Sequence, residues 1–106
     1  MRDYILGVDP GPERPRALEL QGRPNPFGRS AQIRYGLPQE GVVSLDVYDM
    51  HGRRVKTLAS GRQTPGYRTV DWDGRGDSGG RLPSGVYFCR LRAGNDIVTM
   101  KIFLTR

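Results

Sequence analysis

Along much of this chain apolar and polar residues alternate one by one, the period of strands that bury one face. Over residues 31–37, Ile33, Tyr35 and Leu37 oppose Gln32 and Arg34. Val43, Leu45 and Val47 oppose Ser44 and Asp46, and Tyr48 begins the exit. Residues 54–59 read as a returning strand anchored by Val55, with Leu58 near its end. Val70 and Trp72 share a face against Thr69 and Asp71. Val98, Met100, Ile102 and Leu104 alternate with Thr99, Lys101, Phe103 and Thr105. Residues 86–93 are apolar on both faces, as suits a central strand. A weaker alternation over 17–21 can open the sheet. No internal repeat or βαβ alternation is visible. These elements predict an all-β, antiparallel β-sandwich of about seven strands. The expected core is Ile33, Tyr35, Val43, Leu45, Val47, Val70, Trp72, Val98, Met100 and Ile102, because a one-residue slip would put the set in water.

The connections are written in glycine and proline, 15 and 8 of them. Such density suits short strands and tight turns and disfavours long helices. Residues 49–53 form a hairpin-length connection in which Gly52 is available for positive φ. Residues 38–41 read as a turn, 60–66 as a loop, and 74–80 as a wide, flexible and exposed turn. Pro24 and Pro26 fix their own φ and extend their neighbours, so Pro24-Asn25-Pro26-Phe27 is a rigid bend that delivers Phe27 onto the core. Residues 4–8 are a short apolar run, followed by a proline-rich extended stretch. The expected organisation is a linker or tail of a preceding domain over 1–21 and one domain over 22–106. A length of 106 residues fits one sandwich without surplus.

Charge adds little to this picture. The net charge of +6 is nearly all arginine and is dispersed along the chain. Arg53, Arg54 and Lys56 make the densest group. A nucleic-acid surface calls for a basic stripe with interleaved aromatics, and dispersed charge reads instead as a solvated surface. Cys89 is the single cysteine, so no intrachain disulfide forms, and its neighbours Tyr87, Phe88 and Leu91 mark it as a small buried hydrophobe. The first ten residues lack the apolar core of a signal peptide, and no window has the length of a membrane span. An exported form would therefore be a piece of a larger precursor.

Candidate chemistry is sparse. Gly74-Arg75-Gly76-Asp77-Ser78-Gly79 matches G-x-G-x-x-G, but that motif works between a strand and a helix, and Leu82-Pro83-Ser84-Gly85 starts no helix. Arg75-Gly76-Asp77 matches an adhesion tripeptide, which arises readily by chance in so biased a loop. Asp73 and Asp77 are weak calcium candidates, although Asp in tight loops more often closes local hydrogen bonds. His51 sits in a turn beside arginines, without the partners of a catalytic triad or a zinc site. Trp72, Tyr87, Tyr35, Phe27 and Tyr48 are expected as core filler rather than a ligand-stacking face. No catalytic residues, cofactor, metal site or small-molecule substrate are expected, and the partners are proteins.

Six segments in order carry a likeness: Pro24-Asn25-Pro26-Phe27; Ile33-Arg34-Tyr35-Gly36-Leu37-Pro38; Val47 to Val55; Val70-Asp71-Trp72-Asp73-Gly74; Ser84-Gly85-Val86-Tyr87-Phe88; and Lys101-Ile102-Phe103-Leu104. Over about residues 22–106 the chain resembles the FlgD-like immunoglobulin-like domain of flagellar hook-capping proteins and the overlapping C-terminal sorting domain (type A) of type IX secretion cargo. The resemblance implies an immunoglobulin/fibronectin-III-like fold. It also implies a non-catalytic module of a secreted bacterial protein, placed outside the cell or on its surface, read by export machinery or attached there. The alternative it implies is a scaffold or spacer domain of the hook-capping type. In the sorting branch, the Gly-x-Tyr segment and a basic residue of the last strand belong to the signal, which maps here to Gly85, Tyr87 and Lys101. Pro24, Pro26, Phe27, Gly52 and Trp72 are then structural. The last strand is expected to offer a free edge to a docking strand. Cys89 and the arginine richness depart from the pattern.

Overall fold

The computed structural model describes residues 15–106. The apolar run at 4–8 and the stretch at 9–14 lie outside the described residues. Seven strands follow in order: β1 (Glu19–Arg23), β2 (Ala31–Leu37), β3 (Gly41–Tyr48), β4 (Arg54–Gln63), β5 (Gly66–Trp72), β6 (Gly85–Ala93) and β7 (Asp96–Leu104). They form a three-stranded sheet, β1-β2-β5, and a four-stranded sheet, β4-β3-β6-β7, antiparallel at every pairing. No helix is found among the described residues, and the fold is the expected sandwich.

The two-residue period does most of the work. Ala31, Ile33, Tyr35 and Leu37 from β2 meet Val43, Leu45 and Val47 from β3 and Tyr87, Cys89 and Leu91 from β6, all buried between the sheets. β7 contributes Ile102 and Leu104, while Met100 is only partly buried against the core. Val70 is also partly buried, and Val98 is half-buried. β5 and β7 are edge strands and cover less of the interior. β6 is central, as its apolar character predicts.

β1 overlaps the weak alternation expected to open the sheet, and Leu18 and Leu20 pack on the core. Two local expectations are corrected. The segment expected as loop from 60 is strand to Gln63, so that β3 is paired from its first residue, Gly41. Gly61 permits this with φ +111°. β4 also shifts register twice against β3, between Leu45 and Asp46 and between Val47 and Tyr48. The shifts leave Leu58 and Val55 unmatched, so both turn partly toward the core out of simple alternation. Finally, Tyr48 is not core filler. Its neighbour Val47 points inward, so Tyr48 points out, beneath the Arg90 guanidinium at 4.4 Å from the ring centre.

Candidate functional site at the C-terminal strand

Phe27, Trp72 and Tyr87 come together at one end of the sandwich. The Phe27 and Trp72 ring centres are 5.2 Å apart, and Tyr87 meets Trp72 edge-on at 5.6 Å. Both geometries suit the ring quadrupoles. The Trp72 Nε1–H donates to the Arg75 carbonyl at 2.9 Å, and the Tyr87 hydroxyl donates to the Pro83 carbonyl at 2.6 Å. Each ring thus buries its apolar body and ties a loop to the core through its polar end.

Around this trio the 74–80 loop is pinned rather than flexible. Gly76 N–H donates to Gly80 O, and Gly79 N–H donates to Gly76 O. The Asp73 carboxylate accepts the Arg75 N–H, and Leu82 N–H donates to Gly74 O. Asp77 binds the outer edge of β4 at two points. Its N–H donates to Val55 O, and its Oδ1 accepts the Thr57 N–H at 3.1 Å. This is how a neighbouring strand residue would pair. Gly74 is buried at φ +79°, and a Cβ there would lie 3.2 Å from Leu104 Cδ1. Asp73 and Asp77 therefore serve the loop. Among the described residues, no three His, Cys, Asp or Glu side chains are grouped to hold an ion. The Arg75-Gly76-Asp77 tripeptide is engaged too: Arg75 donates to the Gly79 carbonyl, while Asp77 is spent on β4.

The opposite edge of the same sheet is covered by the proline bend. Arg23–Pro24 and Asn25–Pro26 are both cis peptides. The Asn25 carboxamide donates to the Lys101 carbonyl at 3.0 Å and accepts the Phe103 N–H at 2.9 Å. Phe27 continues the pairing, donating to Phe103 O and accepting from Thr105 N–H. The free edge expected of the last strand is thus occupied over residues 101–105. Asn25 is a residue that sequence reading did not single out. Its signal was its position between two prolines, whose missing N–H groups leave its carboxamide as the main means of pairing with a strand edge there.

The three candidate recognition residues do not converge. Lys101 is exposed on the outer face of the four-stranded sheet, opposite Phe88 on β6. Gly85 is exposed at the start of β6 with φ +155°. Tyr87 is 4% exposed. Burial raises its hydroxyl pKa, Asp49 adds to the rise and Arg106 opposes it. Gly85 and Tyr87 do line a common groove of about 470 Å³ with His51, Arg54, Leu82 and Ser84. The β3–β4 turn forms its far wall. There Gly52, at φ +81°, donates to Asp49 O, and the Asp49 carboxylate accepts from the backbones of His51 and Arg53. Those donors, Arg53 foremost, hold the Asp49 carboxyl below its ordinary value. Arg106 braces the 82–84 segment of the near wall from outside the groove. It donates from Nε to Leu82 O, from Nη2 to Gly74 O and from its backbone to Ser84 Oγ.

The model of the FlgD Ig-like domain matches residues 28–96. The chain belongs to that family. The FlgD Ig-like domain is a non-catalytic type of module, in keeping with a site made of strand edges, a turn and a groove. Among solved structures, dimeric latent PorU from Porphyromonas gingivalis superposes with a TM-score of 0.63 at 21% identity, over 92% of this chain and 10% of that one. FlgD from P. aeruginosa gives 0.55 at 28% identity, over 70% of this chain and 57% of that one. PorZ, an essential surface component of the type-IX secretion system of P. gingivalis, gives 0.55 at 20% identity, over 82% and 11%. The chain thus spans a small part of PorU and PorZ and somewhat over half of FlgD. No curated protein sequence matches it. No helix among the described residues is long and apolar enough to cross a membrane.

Proposed function

We propose that this domain is a partner-binding module of a secreted bacterial protein and serves as an export or surface-attachment signal. The observation that carries the reading is the placement of Gly85 and Lys101. They lie on paired strands, both exposed, at the end of the sandwich where the last strand is locked in place. A partner that meets them reads a folded surface. Tyr87 acts from beneath as a positioning residue, since its hydroxyl holds the Pro83 carbonyl and so sets the turn that presents Gly85. The likeness to PorU and to PorZ, a surface component of the type-IX system, supports this reading.

The test is export of a reporter. Residues 15–106 are fused behind a signal peptide in a host with type IX machinery, and surface reporter is measured for the parent and for Lys101→Glu. Removing residues 101–106 is the wrong experiment, because it takes Ile102 and Leu104 from the core. A loss of surface reporter with Lys101→Glu, the fusion still folded by circular dichroism, is the expected result. Equal surface signal, or none from the parent, refutes the reading. The second reading, a scaffold domain of the hook-capping type, would then take its place. It is supported by the 28% identity to FlgD, the highest of the three structures compared.

A further inference from the structure

The two outer faces of the sandwich differ in chemistry. On the three-stranded sheet the side chains opposite in parity to the core are Glu19, Gln21, Arg23, Gln32, Arg34, Thr69 and Asp71, with Tyr67 the sole large ring. That ring lies under the Arg34 guanidinium, and its hydroxyl donates to Glu19. This is an ordinary polar surface. The four-stranded sheet is different. The exposed large hydrophobics among the described residues are Val42 (62%), Met50 (69%), Ile97 (49%) and Phe103 (40%). Val42, Ile97 and Phe103 are on β3 and β7 with parity opposite to the core, so all three look out from this one sheet. Met50 stands on the β3–β4 turn at the rim of the same face. It lines a hollow of about 310 Å³ with Tyr48, Asp49, Phe88, Arg90, Ile97 and Thr99, and the Asp49 carboxylate is already paired with Arg53.

The charge on this face is also one-sided. Tyr48, Phe88 and Lys101 form one row across β3, β6 and β7. Asp46, Arg90 and Thr99 form the next, and Ser44, Arg92 and Ile97 the one after. The cations Arg90, Arg92 and Lys101 therefore stand among the apolar side chains. The only acid in these rows, Asp46, is buried, and its carboxylate accepts the Thr57 hydroxyl at 2.8 Å. An apolar surface gathered on one face of a monomer marks an interaction site. Here it comes with a positive field that has no exposed negative partner in the same rows.

We propose that the outer face of β3, β6 and β7 docks an acidic segment of a partner protein whose apolar side chains enter the hollow beside Met50 and Ile97. Carboxylates then meet Arg90, Arg92 and Lys101, and apolar side chains meet Phe103 and Phe88. A second copy of the chain fits poorly, because it brings the same cations to the same place on a chain of net charge +6. A single-stranded nucleic acid needs open ring faces for its bases. The face of Tyr48 is already covered by Arg90, and Phe88 is half-buried. The proposal rests on reading the domain as a partner-binding module and names the chemistry of the partner.

The test is made in solution on the full chain, apart from export. The probe is a labelled peptide of alternating glutamate and leucine, with a lysine–leucine peptide, a thymidine oligonucleotide and phosphatidylglycerol vesicles beside it. The glutamate peptide is expected to bind and to shift the amide resonances of Arg90, Ile97, Thr99 and Lys101. Lys101→Glu and Phe103→Ser are each expected to weaken binding roughly tenfold, while Arg34→Glu on the other sheet leaves it unchanged. Lys101 and Phe103 are exposed, so both variants retain the fold, and a melt of each verifies it. Absence of binding at millimolar peptide overturns the proposal. So does binding that ignores the two substitutions, or tighter binding of the oligonucleotide or the vesicles. Peptide binding with failed export sinks the export reading and leaves the docking face standing; the reverse outcome sinks the docking face alone.

Discussion

Asn25 accepts the backbone N–H of Phe103 at 2.9 Å across 78 positions of sequence, and so takes the place of a strand beside β7. Its amide nitrogen completes the pair by donating to Lys101 O. Asn25→Ala leaves both backbone groups to water, since the edge is exposed. The expected cost is about 1–2 kcal/mol, read from urea unfolding. The amide of Phe103 should exchange faster with deuterium than in the parent. Unchanged exchange at Phe103 would show that the carboxamide does not hold this edge in solution.

Phe27→Ala removes one ring of the aromatic trio and empties space beside Trp72. The expected loss is about 3–5 kcal/mol, as for other buried aromatics. Near-ultraviolet circular dichroism should also lose the Trp72 signal that a packed ring gives. A melt equal to the parent's would refute the placement of Phe27 in the core.

Asp77→Ala removes the acceptor for the Thr57 N–H at the other edge of the sheet. A loss of about 1 kcal/mol is expected, with faster exchange at Thr57. Calcium belongs in the same experiment, because Asp73 and Asp77 were the candidate ligands. Titration calorimetry of the parent should give millimolar affinity at best. Submicromolar affinity would mean that the carboxylates hold an ion in preference to the loop.

The Cys89 thiol gives a pH dependence of definite sign. Burial pushes its pKa from the ordinary 9.0 up to about 12. The unfolded chain therefore ionises first as pH rises. The contribution of this group is full below about pH 9 and is lost on the way to pH 12, at roughly 1.4 kcal/mol for each unit between the two values. Tyr87, also raised by burial, adds a loss of the same sign above its ordinary value of 10.0. Urea unfolding from neutral pH to pH 11 should show a steeper decline in the parent than in Cys89→Ala. Parallel declines would clear the thiol of this role.

The strands were legible because burial of one face leaves a period of two that survives any detail of packing. β2, β3 and β7 could be read this way. β4 could not be read to its end. Its last residues are polar or glycine, and its two register shifts break the alternation that would have marked Val55 and Leu58. Tyr48 has the size of a core ring, but its parity, opposite to that of Val47, turns it outward. The 74–80 loop looked flexible because its composition is that of a linker. What pins it is β4, brought to it from about twenty residues earlier, and no local pattern carries that information. The recognition residues fell between these cases. The positions of Gly85 and Lys101 follow from strand parity and from the turn. The burial of Tyr87 follows from the same alternation, once β6 is known to be central.

The pairing of residues 25–27 with residues 101–105 also governs when this domain can fold. A chain still being synthesised has Phe27 early, but lacks the backbone groups of Phe103 and Thr105 that hold it. Without β7 the core also lacks Ile102 and Leu104, and β6 has an open side. Partial chains therefore cannot make the pairing that fixes Phe27 at this end. Closing so long a loop is also a slow kind of step, since its entropy is lost before the contacts form. This end of the sandwich can close only once its last strand is available to pair with Phe27.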